Sequence, residues 1–418
     1  MQIAIVGAGI VGAATAYELA ADGHQVTVFE QRAAAAEEAS FGSAGMLAPS
    51  LLVPWAAPGI GGPLRRQIRG TNATPRLTSG AGMTGLGWLW RWSRAGRGPD
   101  AQARLGALQR LGSYSLERTR ALAQRFEADL ETSRGTLVLL RRPQDLQRVQ
   151  PALQVLRDAG VALSEVDAAT ARLIEPGLAA DVPLAGALHA PDGEAGNCRL
   201  FVHTLRQAAQ NQGARFLFST RVHSLSARSA SLRIEGEDAP RHFDAVVLCA
   251  GLASAALLRP VGLRLPMAGV HGYTVSAPVR EDTHAPQGTV IDPVHRITIT
   301  RQGQRVRASG GAEIGRGASS HHAHHAPTLQ TLYLALSGWF PGGALTSSPQ
   351  VQVWRGARPT LPDGAPAIGA SGISGLWLNA GHGACGWAQA CGSARALADL
   401  IAQRTPAIDL QPFAPQRF

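Results

Sequence analysis

The sequence predicts an α/β protein of two interleaved lobes, one built on a parallel sheet and the other on a β-sheet with a helical cover. Three observations predict it. The chain opens on an apolar strand, a glycine-rich turn, a helical pattern and a second strand. A second continuous apolar stretch, Ala245 to Cys249, ends on Ala250-Gly251, as buried parallel strands do where they meet a ligand crevice. From Val270 to Gly310 short strand-like runs follow one another with no helical pattern between them.

The opening stretch reads MQIAIVGAGIVGAATAYELAADGHQVTVFEQR. Ile3 to Val6 is the strand, and Gly7-Ala8-Gly9-Ile10-Val11-Gly12 is the turn. A helical pattern runs to about Ala21, a turn follows at Asp22-Gly23-His24, and the strand Gln25 to Phe29 ends on Glu30. A GxGxxG alone is weak, but between a strand and a helix, with an acid about twenty residues on, it marks a Rossmann-like dinucleotide site. Gly7 permits the tight turn, Gly9 the close approach of a pyrophosphate, and Gly12 the close packing of helix on strand. The helix N-terminus offers unpaired N–H groups to phosphate, and Glu30 can accept from a ribose hydroxyl. The competing readings are a ligand-free strand-turn-helix, a signal peptide and a membrane anchor. Three glycines in register, the lack of a basic start and Glu18 within the helix argue against them.

With 418 residues the chain can bury two lobes. It is 45% hydrophobic and 16% charged, which excludes a disordered chain, and no window reads as a transmembrane span. All 39 basic residues are Arg, so a Lys nucleophile or a Lys Schiff base is excluded. Cys198, Cys249, Cys385 and Cys391 form no CxxC pair and no zinc spacing, which fits a reducing, cytoplasmic compartment. The net charge of +10 is uneven. Ala39 to Pro99 holds no Asp or Glu, yet carries Arg65, Arg66, Arg69, Arg76, Arg91, Arg94 and Arg97 around Trp88, Trp90 and Trp92. Two readings compete: an anionic membrane surface on the cytoplasmic face, and an Arg-rich face over a buried Trp cluster, which we place slightly ahead. No recognition motif accompanies the charge, so no nucleic acid is expected as partner.

Along the chain, Ser40-Phe41-Gly42-Ser43-Ala44-Gly45-Met46 is a small-residue loop whose backbone can approach a planar or phosphorylated ligand. Residues 50 to 85 are rich in Pro and Gly and read as irregular. Helices are expected at Leu86–Ser93, Ala101–Glu131, Pro143–Ala159, Asp167–Leu173 and Cys198–Gln212, the last closed by Gly213. Strands are expected at Gly135–Leu140 and Gly186–His189, with Pro191 to Asn197 as a turn-rich loop. Phe216–Phe218 and Val222–Ser226 read as strands, followed by a hairpin from Ser231 to Phe243. The later lobe reads as strands at Val270–Ser276, Gly288–Ile291, Ile297–Thr300 and Val306–Gly310, with a helix over Pro327–Gly338. His321-His322-Ala323-His324-His325 lacks a carboxylate partner and a defined geometry, so no metal is expected. Finally, the strand Leu376–Asn379 runs into Gly381-His382-Gly383 and a small-residue helix, Gly386–Ile401.

These pieces assign residues 1–80, 195–265 and 355–418 to the nucleotide lobe, and 81–194 and 266–354 to the substrate lobe. A nicotinamide domain is usually contiguous. A discontinuous lobe with a second glycine turn at its far end suits the longer FAD, with the isoalloxazine near Gly381-His382-Gly383.

The chain resembles the D-amino-acid dehydrogenase small-subunit family, within the FAD-dependent D-amino-acid, glycine and sarcosine oxidoreductases. The resemblance rests on Ile3–Gly12, Ser40–Met46, Val53–Gly59, Pro191–Phe201, Gly272-Tyr273-Thr274, Ile297–Thr300 and Ala312-Glu313-Ile314. It is strongest at Trp354–Gly369 (WRGARPTLPDGAPAIG) and Asn379–Leu400. It implies a discontinuous Rossmann-like FAD domain with an interleaved substrate domain of sheet and helix. The cofactor contacts expected are Gly7, Ala8, Gly9, Ile10, Val11, Gly12, Glu30, Gln31, Arg32, Ser40, Ser43, Ala44, Gly45, Met46, Val222, Ala250, Gly251, Gly381, Gly383 and Ala384. Arg358 is implied as the grip on the substrate carboxylate, a task that its planar fork suits. Tyr273 is expected to close or polarise the site, with His271 and Gly381 beside the substrate and His382 near the reduced ring.

The implied reaction is oxidation of a D-amino acid by hydride transfer from Cα to flavin N5, then hydrolysis to a 2-oxo acid and ammonia, with electrons passed to a quinone or another respiratory acceptor. The family's pattern is departed from in the Ser40 loop, at His271 in place of a Lys, and at Ala384-Cys385. The alternatives are a D-proline or hydroxy-D-proline dehydrogenase, a glycine- or sarcosine-type oxidase using O₂, and a non-catalytic FAD-binding electron-transfer subunit.

Overall fold

Ile3, Ala4, Ile5 and Val6 are all buried, so β1 (Gln2–Val6) is apolar on both faces and must sit inside a sheet covered on both sides. The computed structural model, which describes residues 1–48, 76–77, 82–96, 100–158, 160–315 and 326–418, places it there. β1 pairs in parallel with β2 (Gln25–Phe29) and β12 (Ala245–Leu248). β8 (Arg215–Leu217) extends the sheet beyond β2. β19 (Leu376–Ala380) and β18 (Ala367–Ala370) extend it beyond β12, with only the β18–β19 pair antiparallel.

One face of this sheet is covered by helices. α1 (Ile10–Ala21) packs against α9 (Gly386–Ile401) and α6 (Cys198–Asn211), and α9 against α3 (Ala101–Arg125). Small residues let α9 and α3 approach closely: a Cβ on Gly392 would lie 3.0 Å from the backbone of Ser115. The other face carries the antiparallel sheet of β9 (Val222–Leu225), β10 (Ser231–Ile234) and β11 (Arg241–His242), packed on Ala4, Val246 and Leu248. The short α7 (Ala253–Leu258) follows β12.

The second sheet runs β17 (Gln352–Thr360), β13 (Ala268–Pro278), β16 (Arg305–Ile314), β15 (Ile297–Gln302), β14 (Thr289–Asp292), β5 (Ser133–Leu140), β7 (Gly186–Ala195), β3 (Met46–Leu47). β4 (Arg76–Leu77) joins β16, and β6 (Ser164–Asp167) joins β7. One face holds an apolar core with α8 (Ala326–Trp339), built on Tyr273, Val275, Ile299 and Trp339. α4 (Pro143–Asp158) covers part of the other face, α5 (Ala168–Ile174) packs near β7, and α2 (Gly82–Ala95) buries Trp88 and Trp92 against Val270 and Ile314.

The structure departs from several expectations. Pro191 to Ala195 continues β7 rather than forming a loop, because β5 and β3 both pair with Glu194 and Ala195, and a shift in register at Arg134–Thr136 absorbs the Pro-Asp-Gly. The helix from Ala101 ends at Arg125, not Glu131. β17 belongs wholly to the substrate sheet, across the expected boundary at 355, and α3 packs on the nucleotide lobe although residues 81–194 are expected in the substrate lobe. Trp90 is 58% exposed, unlike Trp88 and Trp92, so the Trp cluster is split between core and surface. Val53–Gly59, Arg65, Arg66, Arg69, Arg97 and the His321–His325 run lie outside the described residues.

Candidate active site

A cavity of about 1230 Å³ opens where the carboxyl ends of β1, β2 and β12 meet one face of the second sheet, the usual ligand position in such α/β sheets. Its nucleotide end follows from the glycine turn. Gly7 has φ +104°, and a Cβ there would lie 2.6 Å from the Cys249 carbonyl oxygen. A Cβ on Gly12 would lie 1.9 Å from the Gly7 oxygen, so only glycine lets α1 sit this close to β1. Gly9 caps α1, and the helix leaves Val11 and Gly12 N–H without intrahelical acceptors. Ser40 Oγ accepts from Ile10 N–H at 3.0 Å and so closes the side of this anion site.

Glu30 shapes the turn as well as facing the cavity. One carboxylate oxygen accepts from Ala8 N–H at 2.7 Å and the other from Arg32 N–H at 2.8 Å. Burial pushes its carboxyl up, against the two N–H groups that favour the charged form. A carboxylate has about four acceptor positions, so Glu30 keeps capacity for a ribose hydroxyl while holding the loop.

The loop Gly42 to Ala44 is bound to the second sheet. Thr274 donates to the Gly42 carbonyl at 2.9 Å, Thr300 to Ala44 at 2.8 Å and Arg307 to Ser43 at 3.1 Å. Trp354 lies between glycines: a Cβ on Gly42 or on Gly356 would be 1.9 Å from its ring. The pairing of Trp354 with Gly42 was not foreseen, although glycine at 42 and 356 is its sequence trace.

At the opposite wall, Gly381 (φ +84°) and Gly383 (φ +57°) bend the chain between β19 and α9. His382 is buried between them, its Nε2 3.1 Å from Ser393 Oγ. The Ser393 hydroxyl proton goes to the Ala390 carbonyl, so this bond requires the Nε2–H tautomer and leaves Nδ1 as an acceptor. Burial pushes the His382 imidazole down to about 3. Cys385 also borders the cavity; burial pushes its thiol up to about 11, with Arg358 opposing.

Arg358 projects from β17 over Gly272, where any Cβ would lie 2.3 Å from Nη2. Its Nη1 donates to the Gly311 carbonyl at 2.9 Å. Burial lowers its pKa to about 10, so it stays charged at neutral pH, and no carboxylate among the described residues pairs with it. A cation kept from water with one neutral acceptor leaves donors free for an anion.

Several expected residues lie elsewhere. Tyr273 does not reach the cavity: its hydroxyl donates to Glu313 at 2.8 Å and accepts from Arg355 at 3.1 Å, inside the second sheet's core. His271 and Arg32 border a separate cavity of about 900 Å³ on the far side of the Trp354–Ala357 segment. Ala8 and Gly12 are buried in the packing of α1 on β1, and Gly45 packs on Gln302 while accepting from Trp387 Nε1 at 3.0 Å. Gly7, Gly9, Ile10, Val11, Glu30, Gln31, Ser40, Ser43, Ala44, Met46, Val222, Ala250, Gly251, Gly381, His382, Gly383, Ala384 and Arg358 border the large cavity.

The sequence profile of the DAO family, described as FAD dependent oxidoreductase, matches residues 2–400. The chain belongs to this family of FAD-dependent oxidoreductases. A D-amino acid dehydrogenase of Rhizorhabdus wittichii is 36% identical, with both chains covered in full. One of Cereibacter sphaeroides is 37% identical over 100% of this chain and 95% of its own. Among solved structures, glycine oxidase from Geobacillus kaustophilus superposes with a TM-score of 0.75 at 24% identity, covering 100% of this chain and 98% of that one. The cofactor is therefore FAD, and the glycine cradle, the α1 N-terminus and Glu30 fit its ADP half. Among the described residues no group of His, Cys, Asp and Glu could hold a metal, and no helix is long and apolar enough to cross a membrane.

Proposed function

We propose that the enzyme oxidises D-amino acids to imino acids, which water converts to 2-oxo acids and ammonia. The observation that carries this reading is Arg358, a charged guanidinium on the cavity wall with no carboxylate partner among the described residues. The names of the full-length relatives support it.

FAD, when bound, supplies the acceptor for a hydride leaving the substrate α-carbon. The protein's own part is to bind and orient. Arg358 takes the substrate carboxylate on the donors that Gly311 leaves free, and this anchor limits where Cα can lie. Gly381 and Gly383 keep the opposite wall free of side chains. His382 stays neutral at about 3, and Cys385 stays protonated at about 11. Neither is poised to take up the substrate's ammonium proton at neutral pH, and positioning carries most of the rate.

For the onward acceptor we propose a quinone at an anionic membrane. Met83, Leu86 and Trp90 are exposed on one stripe of α2 with 84%, 51% and 58% of their surface free, and Arg94 stacks on Trp90 at 4.8 Å. Apolar side chains beside Arg, in a segment with no acidic residue, suit such a surface.

Arg358→Ala tests the anchor. The variant is expected to keep its flavin absorbance yet lose anaerobic bleaching by D-amino acids at least about a thousandfold in kcat/KM, and Arg358→Lys to recover only part of it. Undiminished bleaching in Arg358→Ala would remove the carboxylate anchor from the reading.

A further inference from the structure

The large cavity also has a floor, formed by one face of the second sheet. Five neighbouring strands contribute one residue each to a single row. Ser309 on β16 pairs with Thr298 on β15, Thr298 with Ile291 on β14, Ile291 with Val138 on β5, and Val138 with Leu188 on β7. Residues opposed across adjacent strands share a face of the sheet, and all five border the cavity. Their chain neighbours Leu137, Val290, Ile297 and Ile299 point the other way, into the core under α8, as a period of two requires.

The row changes chemistry along its length. Hydroxyls stand at Ser309 and Thr298, nearest to Arg358, whose guanidinium rests on Gly311 two residues along β16 from Ser309. Beyond them the row itself holds Ile291, Val138 and Leu188, with Arg296 at its edge on the β14–β15 turn, and α4 closes that end with Val149, Leu153 and Leu156. A polar start and an apolar end match an amino acid whose side chain is long and apolar.

We infer that this row is the substrate's side-chain subsite and that it selects D-amino acids with large apolar or aromatic side chains over D-alanine. The inference rests on Arg358 holding the substrate carboxylate. Strands lie about 4.8 Å apart, so Ile291 is roughly 10 Å across the sheet from the strand on which the guanidinium rests. A carboxylate hydrogen-bonded at about 2.8 Å leaves the methyl of D-alanine over the hydroxyl end. The ring of D-phenylalanine extends roughly 4 Å further, counting bonds of about 1.5 Å, and reaches Ile291 and Val138. A methyl leaves that hydrocarbon wall uncovered, whereas a benzyl or isobutyl group covers it.

Two measurements on the FAD-loaded enzyme test this. Unreactive carboxylates, from acetate through butyrate and hexanoate to 3-phenylpropionate, are titrated against the flavin spectrum. Each buried methylene is expected to tighten binding about fourfold, and 3-phenylpropionate to bind at least about tenfold tighter than acetate; a flat series overturns the subsite. In turnover, kcat/KM for D-phenylalanine is expected to exceed that for D-alanine. Their ratio is expected to fall about tenfold or more in Ile291→Asn and in Val138→Asn. An unchanged ratio overturns the assignment, and so does loss of FAD with the fold retained, which would give the row to the cofactor ring. The two readings fail separately. Oxidation of D-alanine in preference to D-phenylalanine overturns the subsite alone, while graded carboxylate binding with no D-amino acid oxidised overturns the reaction and leaves the subsite.

Discussion

Arg358 and His382 show how burial assigns opposite states to two cavity residues. The guanidinium resists burial, because even a pKa lowered to about 10 leaves it charged at neutral pH, while the imidazole, pushed down to about 3, is neutral there. The folded state therefore binds no proton at His382 between about pH 3 and the unfolded value near 6.5, whereas the unfolded chain does. Stability from this group is complete above pH 6.5 and is lost as pH falls, by about 1.4 kcal/mol per pH unit. Urea midpoints of the wild type and of His382→Gln between pH 7 and 4.5 check this. The wild-type curve is expected to fall more steeply by that slope, and parallel curves would show that His382 is not held neutral. The motif that carries Arg358 is long and specific, and the residue lies on the cavity wall, where its grip on a carboxylate is the proposal to be tested. Tyr273 was misplaced because a motif names a residue without naming the face it occupies. Tyr273 shares the face of β13 that Val275 and Ala277 turn into the core under α8, and its hydroxyl meets Glu313 and Arg355 instead of the cavity.

The elements that the sequence showed most clearly are those whose pattern is local. β1, α1 and β2 follow from four apolar residues, three glycines and the next apolar run. α6 ends beside Gly213, whose φ is +90°, as its sequence suggests. β17 and the end of β7 carried no such signal. β17 reads VWRGARP, with glycine, arginine and proline where a strand would show alternation, and only its pairing with β13 makes it a strand. In β7, Pro191-Asp192-Gly193 reads as a turn, and the pairing of β5 on both sides of it and of β3 after it overrides it. In Gly12→Ala the new methyl would lie 1.9 Å from the Gly7 oxygen, so α1 must move off β1 and carry its N–H groups away from the pyrophosphate. FAD affinity is expected to drop at least about tenfold, with a lower melting temperature, since overpacking of this kind costs about 1–3 kcal/mol. Purification of that variant with full flavin content and unchanged melting would contradict the cradle.

Across the whole molecule, residues far apart in sequence converge on single features, and this is where sequence reading was weakest. Glu18 of α1, fully buried, receives Arg118 of α3 at 2.7 Å and Arg395 of α9 at 2.8 Å, tying three helices from the two ends and the middle of the chain. Arg395 also reaches Asp22 and Asp399. Burial works against the Asp22 carboxyl, but hydrogen bonds from Arg395 and Arg404 outweigh it and hold the group below its ordinary value. No spacing rule announces such a cluster, so α3 could not be placed on the nucleotide lobe beforehand. The cavity is of the same kind: its walls come from β1, the Ser40 loop, β12, β17 and the turn before α9, and its floor from strands of the second sheet. In the proposed reaction this assembly removes a hydride from the D-enantiomer of an amino acid anchored by Arg358. The most direct measurement is anaerobic reduction of the FAD-loaded enzyme by matched D- and L-amino acids, followed through flavin absorbance. Bleaching by the D-enantiomers is expected to be at least about a hundredfold faster than by their L-partners; bleaching by the L-enantiomers alone, or by neither, would contradict the proposed reaction.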